Sequence, residues 1–169
     1  MLDRLAGNEA MKQHLQAALA GGKLAHSLLL CGEKGCGAGF AARCLAADYL
    51  YPQGGPAAEA VLAGQAPECL EVRGEGASGQ IRIERIRQVR EEVFHSALSA
   101  QGRVVLLYGA QNLNSASANA LLKVMEEPPE GVLFLLTASS PAAVLATIRS
   151  RCAAYDLSPL PPAQCAAWL

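Results

Sequence analysis

The chain has 169 residues, 51% of them hydrophobic and 17% charged, with a net charge of −1. The apolar content excludes a disordered chain, and the near-zero charge leaves no electrostatic footprint for strong nucleic-acid binding by this chain alone. No apolar run approaches the ~20 residues that span a bilayer, and the start MLDRLAGNEAMKQ is too polar for a secretory signal, so a cytoplasmic protein without a membrane partner is expected.

NEAMKQHLQAALAGGK reads as a helix, with Asn8 as N-cap, Met11, Leu15, Ala18 and Leu19 on one apolar face, and Gly21-Gly22 as its end. SLLLC is a short buried strand, followed by the glycine-rich loop CGEKGCGAGF. Residues 38–51 form the next helix, stopped by Pro52. A loop with a short helix leads to a second strand, CLEV, and a glycine-rich turn. IRIERIRQVREEVFHSAL is helical, with Ile83, Ile86, Val89, Val93 and Phe94 on its apolar side. Its arginines Arg82, Arg85, Arg87 and Arg90, with Glu84, Glu91 and Glu92, read as a solvated charged face; contact with a phosphate or a partner is the alternative.

RVVLLYG is a continuous apolar run, as in a central parallel strand. NSASANALLKVMEE is a helix closed by Pro128-Pro129, and GVLFLLTAS is another buried strand. In SPAAVLATIRSR the spacing predicts one short helix with Ser140 as cap and Pro141 in its first position. AAYDL is a last strand, and PLPPAQCAAWL opens a further helix. Strands alternating with helices predict an α/β fold: a parallel sheet with helices on both faces, and ligand-facing loops at the strands' carboxyl ends.

The six cysteines include no CxxC pair and therefore no zinc signature. They read as small apolar residues in a reducing compartment. No local motif sets His14, His26 or His95 beside Cys36, so a nucleophilic thiol is not expected.

The loop after the first strand has the glycine spacing of a phosphate-binding loop, G-x-x-x-x-G-K-[ST], with Gly32 and Gly37 in register and Gly35 between them. Backbone N–H groups and a helix N-terminus can cradle an anion with no help from side chains. The lysine that grips the terminal phosphates is replaced by Ala38, and the magnesium-binding hydroxyl by Gly39. Lys34 lies three residues before Gly37, where its side chain is expected to point elsewhere. The carboxylates that would end the strand RVVLLYG are replaced by Tyr108 and Gly109. A dinucleotide fingerprint fails because Phe40 stands where its third glycine belongs. The loop should bind ATP weakly or not at all, and the chain should not hydrolyse it.

ANALLKVMEEPP and TIRSRC, within NSASANALLKVMEEPPEGVLFLLTASSPAAVLATIRSRC, resemble the clamp-loader AAA+ subunits of bacterial DNA polymerase III. RLAGNEAMKQHLQAALAGGKLAHSLLLCGEKGCG is similar to the family's opening, His26 included, and the likeness runs from about residue 4 to 169. The degenerate loop and strand make it look most like the non-hydrolysing delta-prime branch; gamma/tau, which keeps lysine, threonine and Asp-Glu, is the alternative. The resemblance implies a P-loop NTPase-like AAA+ core in three α/β/α layers over residues 1–158, with residues 159–169 starting a helical lid. It also implies that the family's full chain continues into the rest of the lid and a helical collar.

The family's zinc module is not expected, because Gly55 and Ala58 stand where cysteines belong and the segment is short. The implied partners are the gamma/tau and delta subunits, with the sliding clamp and primer-template DNA reached through the assembled complex. Ser150, Arg151 and Cys152 match the motif that supplies an arginine finger to a neighbour's ATP. The plainer reading is that Arg149 and Arg151 complement a helix dipole. Asn119 and Ser139 occupy positions that face nucleotide in relatives; Leu121, Leu122 and Met125 read as core, and Lys123 and Glu126 as surface residues without assigned chemistry.

Overall fold

The structure is a computed structural model, and it describes residues 1–95 and 102–166. In chain order it contains α1 (Glu9–Ala20), β1 (Ser27–Cys31), α2 (Ala38–Leu50), α3 (Pro56–Leu62), β2 (Cys69–Val72) and α4 (Ile83–His95). β3 (Arg103–Tyr108), α5 (Ser115–Glu126), β4 (Val132–Ala138), α6 (Ala146–Arg149), β5 (Ala153–Asp156) and α7 (Pro162–Ala166) follow. Single turns of 3-10 helix span Leu2–Arg4, Ala110–Asn112 and Pro141–Ala143.

The strands form one sheet in the order β2-β3-β4-β1-β5, and every pairing is parallel. The central strands carry the continuous apolar runs: all of SLLLC and all of VLFLLTA is buried. The edge strands β2 and β5 are only partly covered. Because side chains alternate across a strand, each apolar run feeds two cores. Leu29, Val105, Leu107, Phe134 and Leu136 pack under α4 and α5 with Ile86, Val89, Leu121 and Met125. Leu28, Leu30, Val104, Leu106 and Leu135 pack under α1, α2 and α3 with Leu15, Ala42, Leu45 and Val61. The three-layer α/β/α expectation holds.

Local chemistry sets the helix ends nearest the functional regions. Asn114 and Ser117 form a reciprocal cap on α5: Ser117 N–H donates to Asn114 Oδ1 at 2.8 Å, and Asn114 N–H donates to Ser117 Oγ at 3.0 Å. The helix stops at Glu126, because Glu127, the residue before Pro128, is driven out of helical geometry to φ −129°.

Three local expectations are corrected. Asn8 does not cap α1; it is left-handed at φ 55°, and its side chain bridges to the far end of the chain instead. Its Oδ1 accepts from Ser158 N–H at 2.9 Å and its Nδ2 donates to Ser158 O at 3.4 Å. The segment 140–151 is not one helix: Val144 and Leu145 are extended between the 3-10 turn and α6, and Ser140 makes no side-chain cap. Val144 leaves the helical path to bury its side chain in the core, to 4% exposure. Phe94 lies off the apolar face of α4, 45% exposed, while Ile86, Val89 and Val93 are buried. The expected continuation of that helix past His95 lies outside the described residues, as does Trp168.

Candidate functional site

Two regions at opposite edges of the sheet hold the residues singled out in the sequence. The first is the loop between β1 and α2, at the sheet's carboxyl edge. Gly35 and Gly37 have φ 98° and 84°, a conformation L side chains rarely adopt. At Gly32 a Cβ would stand 3.0 Å from the Cys36 Cβ and 3.3 Å from the Leu157 Cβ. Each glycine of the cradle is therefore required by the turn itself. Two of the loop's N–H groups are used internally: Gly32 N–H donates to Ala138 O and Cys36 N–H to Glu33 O, both at 3.0 Å. Those of Ala38 and Gly39 open α2 and have no intrahelical acceptor.

A cavity of about 530 Å3 borders this loop, lined by Gly32 to Gly39 without Cys36 and by Gly109, Gln111, Thr137, Ala138 and Ser139. Ser139 thus faces the loop, whereas Asn119 is exposed on α5 and does not line the cavity. Lys34, expected to point elsewhere, borders this cavity as well as a second one of about 490 Å3, on the side of Arg4, Phe40 and Leu160. Glu33 borders both as well, placing a negative charge on the cradle.

Beyond Gly39 the floor is closed by a cluster that reading the sequence missed. A Cβ on Gly39 would meet the Tyr108 ring at 3.1 Å. Tyr108 Oη accepts from Arg43 Nε at 2.9 Å and donates to Glu71 Oε1 at 3.4 Å. Arg43 Nη2 lies 2.9 Å from Glu71 Oε1, and its Nη1 donates to Leu62 O at 3.3 Å. The Arg73 guanidinium stacks on the Tyr108 ring, 3.8 Å from its centroid, and donates to Glu71 Oε2 at 3.3 Å. Burial and the Glu71 charge push the Tyr108 phenol up to about 12. The available signal was a charged residue inside each of two apolar stretches: Arg43, the one cation in AARCLAADYL, and Glu71 in CLEV.

The second region is the corner that leads into β5, at the sheet's amino edge. Cys152 turns inward against the α4/α5 core, its thiol pushed up to about 12 by burial and by Cys31. Ser150 Oγ donates to Thr147 O at 3.1 Å, closing the last turn of α6. Arg151, between them, points outward. Its Nη1 donates to Thr147 O at 3.2 Å and its Nη2 lies 2.6 Å from Glu126 Oε1. Arg149 Nη1 reaches back to Pro141 O at 3.0 Å. Lys123 has no part in this arrangement, so the acidic partner at the end of α5 is tied across helices to Arg151.

The two regions cannot serve one another. Leu28 lies level with Ala153 and Cys31 with Asp156, so the loop begins past the end of β5 while Arg151 precedes its start. At least the length of that strand, roughly 10 Å, separates them along the sheet.

A five-stranded parallel sheet in this order, with a glycine cradle between the central β1 and its helix, defines a P-loop protein of the AAA+ type. The architecture is shared with a crystal structure of a DNA polymerase III gamma subunit-related protein from Thermotoga maritima, at a TM-score of 0.62 and 21% identity over 88% of this chain and 47% of that one. Residues 7–161 match the family described as DNA polymerase III, delta subunit, and the chain belongs to that family. DNA polymerase III subunit gamma/tau of Mycobacterium bovis is 34% identical over 166 residues, covering 94% of this chain and 28% of the relative. Subunit delta' of Yersinia pestis is 40% identical over 109 residues, covering 64% of this chain and 32% of the relative. The chain therefore spans about a third or less of the length of these relatives.

Proposed function

We propose that this chain is the AAA+ part of a delta-prime-like clamp-loader subunit that hydrolyses no ATP and supplies Arg151 to a neighbouring ATPase subunit. The observation that carries this reading is the separation of the two regions: Arg151 is exposed at the amino edge of the sheet, out of reach of its own chain's loop. An arginine so placed can meet phosphate only on another molecule. A guanidinium that reaches a transferring phosphoryl group is worth roughly 10³–10⁵ in rate.

The loop does not fit a magnesium–nucleotide. Ala38 and Gly39 offer neither cation nor hydroxyl, Glu33 repels phosphate, and the Tyr108 ring with its Arg43–Glu71–Arg73 partners occupies the place of the missing carboxylates. The glycines persist because the turn needs them. On this reading the subunit works in the cytoplasm with gamma/tau and delta, meets the sliding clamp and primer-template DNA through the complex, and carries neither zinc nor tightly bound nucleotide. Residues 159–169 would open the lid that follows the core. No described helix is long and apolar enough to cross a membrane.

The test is Arg151→Ala in the full-length subunit, reconstituted with its partner subunits. The variant should assemble and lower the complex's ATPase activity; wild-type turnover would refute the reading. A second reading, a gamma/tau-like subunit that binds nucleotide, draws on the gamma/tau relative's 94% coverage of this chain and on the open N–H groups of the loop. Micromolar equilibrium binding of labelled Mg-ATP, with turnover, would favour it.

A further inference from the structure

Glu126 is the last residue of α5, where the helix dipole is negative, so a carboxylate there is destabilising unless a cation answers it. Pro128 and Pro129 prevent the helix from extending past it, and Leu121, Leu122 and Met125, packed in the core, set its position. The cation that answers it is Arg151, on a different element. The same guanidinium donates through its other terminal nitrogen to the Thr147 carbonyl of α6. Two acceptors on two helices thus hold one plane, at 46% exposure for Glu126 and 42% for Arg151. An exposed arginine without such anchors spreads over many rotamers. Here Nη1 and Nη2 each spend a hydrogen on the chain itself, while Nε and the remaining N–H groups stay available for an anion.

We infer that Glu126 is a positioning residue for Arg151: its carboxylate and the Thr147 carbonyl pre-set the guanidinium at the amino edge of the sheet for an anionic group presented by a neighbouring subunit. This inference rests on the arginine-donor reading above and extends it to the side chain that aims the donor. The pair is not a lock. An exposed ion pair is worth little, far below what a guanidinium gains on a multiply charged phosphate. What Glu126 contributes is a smaller ordering cost when the arginine engages.

The experiment uses the full-length subunit in the reconstituted complex and compares wild type, Glu126→Gln, Arg151→Ala and the double variant for assembly, KM and kcat of ATP hydrolysis. Glu126→Gln should fold and assemble normally, since losing the charge also removes its clash with the helix dipole. It should lower kcat roughly 3- to 10-fold with little change in KM, less than Arg151→Ala does, and add nothing in the Arg151→Ala background. Glu126→Asp should recover part of the loss. A second readout needs no neighbour: 15N relaxation of the Arg151 Nε–H in this chain should show greater mobility in Glu126→Gln. Wild-type or raised kcat for Glu126→Gln beside a reduced Arg151→Ala overturns the positioning role and leaves the donor reading standing. A further drop in the double variant also overturns it. Wild-type kcat for both single variants sinks the two readings together.

Discussion

The cradle between β1 and α2 and the corner before β5 are both tight turns of this sheet, and they differ in what they present to solvent. The cradle keeps the backbone shape of a phosphate site, through Gly32, Gly35 and Gly37, with Ala38 and Gly39 where the phosphate-loop pattern carries lysine and a hydroxyl. The corner keeps a charged side chain in the open and surrounds it with anchors: Cys152 in the core, Ser150 on Thr147, and Glu126 across from α5. Glycines that a turn needs for its own geometry survive whether or not a ligand comes. The anchors of Arg151 complement two helix ends, but an exposed ion pair of this kind adds little to stability. The corner is therefore where function should be sought.

The comparison can be broken first at Tyr108. If the cluster below Gly39 is structural, Tyr108→Ala should destabilise the fold by about 2 kcal/mol in denaturant titrations, since it removes a half-buried ring and leaves Arg43 and Glu71 without their hydroxyl. A cost near zero would mean the region is held by something else. Grafting the missing grip sharpens the same point. Ala38→Lys with Gly39→Ser should not produce measurable Mg-ATP binding, because a side chain at 39 meets the Tyr108 ring at 3.1 Å. Micromolar binding by that double variant would show a cradle only one step from function.

Next in size is the loop's own geometry. Gly35→Ala and Gly37→Ala each force a side chain into positive φ and should cost about 1–2 kcal/mol, lowering Tm by a few degrees with no ligand present. At the corner, Arg151→Ala and Glu126→Gln should each change stability by less than about 1 kcal/mol. A large loss there would return Arg151 to a structural role.

Alkali tests both regions at once, because each holds an acid pushed up to about 12: Tyr108 beside the cradle and Cys152 at the corner. Raised folded-state values mean that the protonated forms favour the fold. Their contribution is complete below the ordinary thiol and phenol range, near pH 9 to 10, and is lost as pH rises towards 12. Chemical stability should be flat from pH 7 to about 9 and then decline, and Tyr108→Phe should weaken the decline.

Much of this was legible in the sequence. SLLLC, RVVLLYG and GVLFLLTAS are short, continuous apolar runs, and such runs have few options other than central parallel strands. The cradle was legible because glycine spacing is a local signal, and Arg151 because TIRSRC resembles a known motif. The orientation of that segment, with Cys152 inward and Arg151 outward, was not legible in the sequence. Pairings across elements were not legible. Glu126 and Arg151 are 25 residues apart, and Arg43, Glu71 and Tyr108 meet only because α2, β2 and β3 are packed together. The break at Val144 and Leu145 was also hidden: capping chemistry at Ser140 favours a helix there, and burial of Val144 overrides it. Asn8 failed as a cap for a different reason: it is left-handed, and its side chain is held by Ser158, 150 residues away.

The division of labour between the two regions is tested most directly by measuring steady-state, magnesium-dependent ATP turnover by this chain alone at saturating ATP. The account predicts phosphate release no faster than in buffer, whether position 151 carries arginine or alanine. Steady release in proportion to protein, abolished by chelating magnesium, would contradict it.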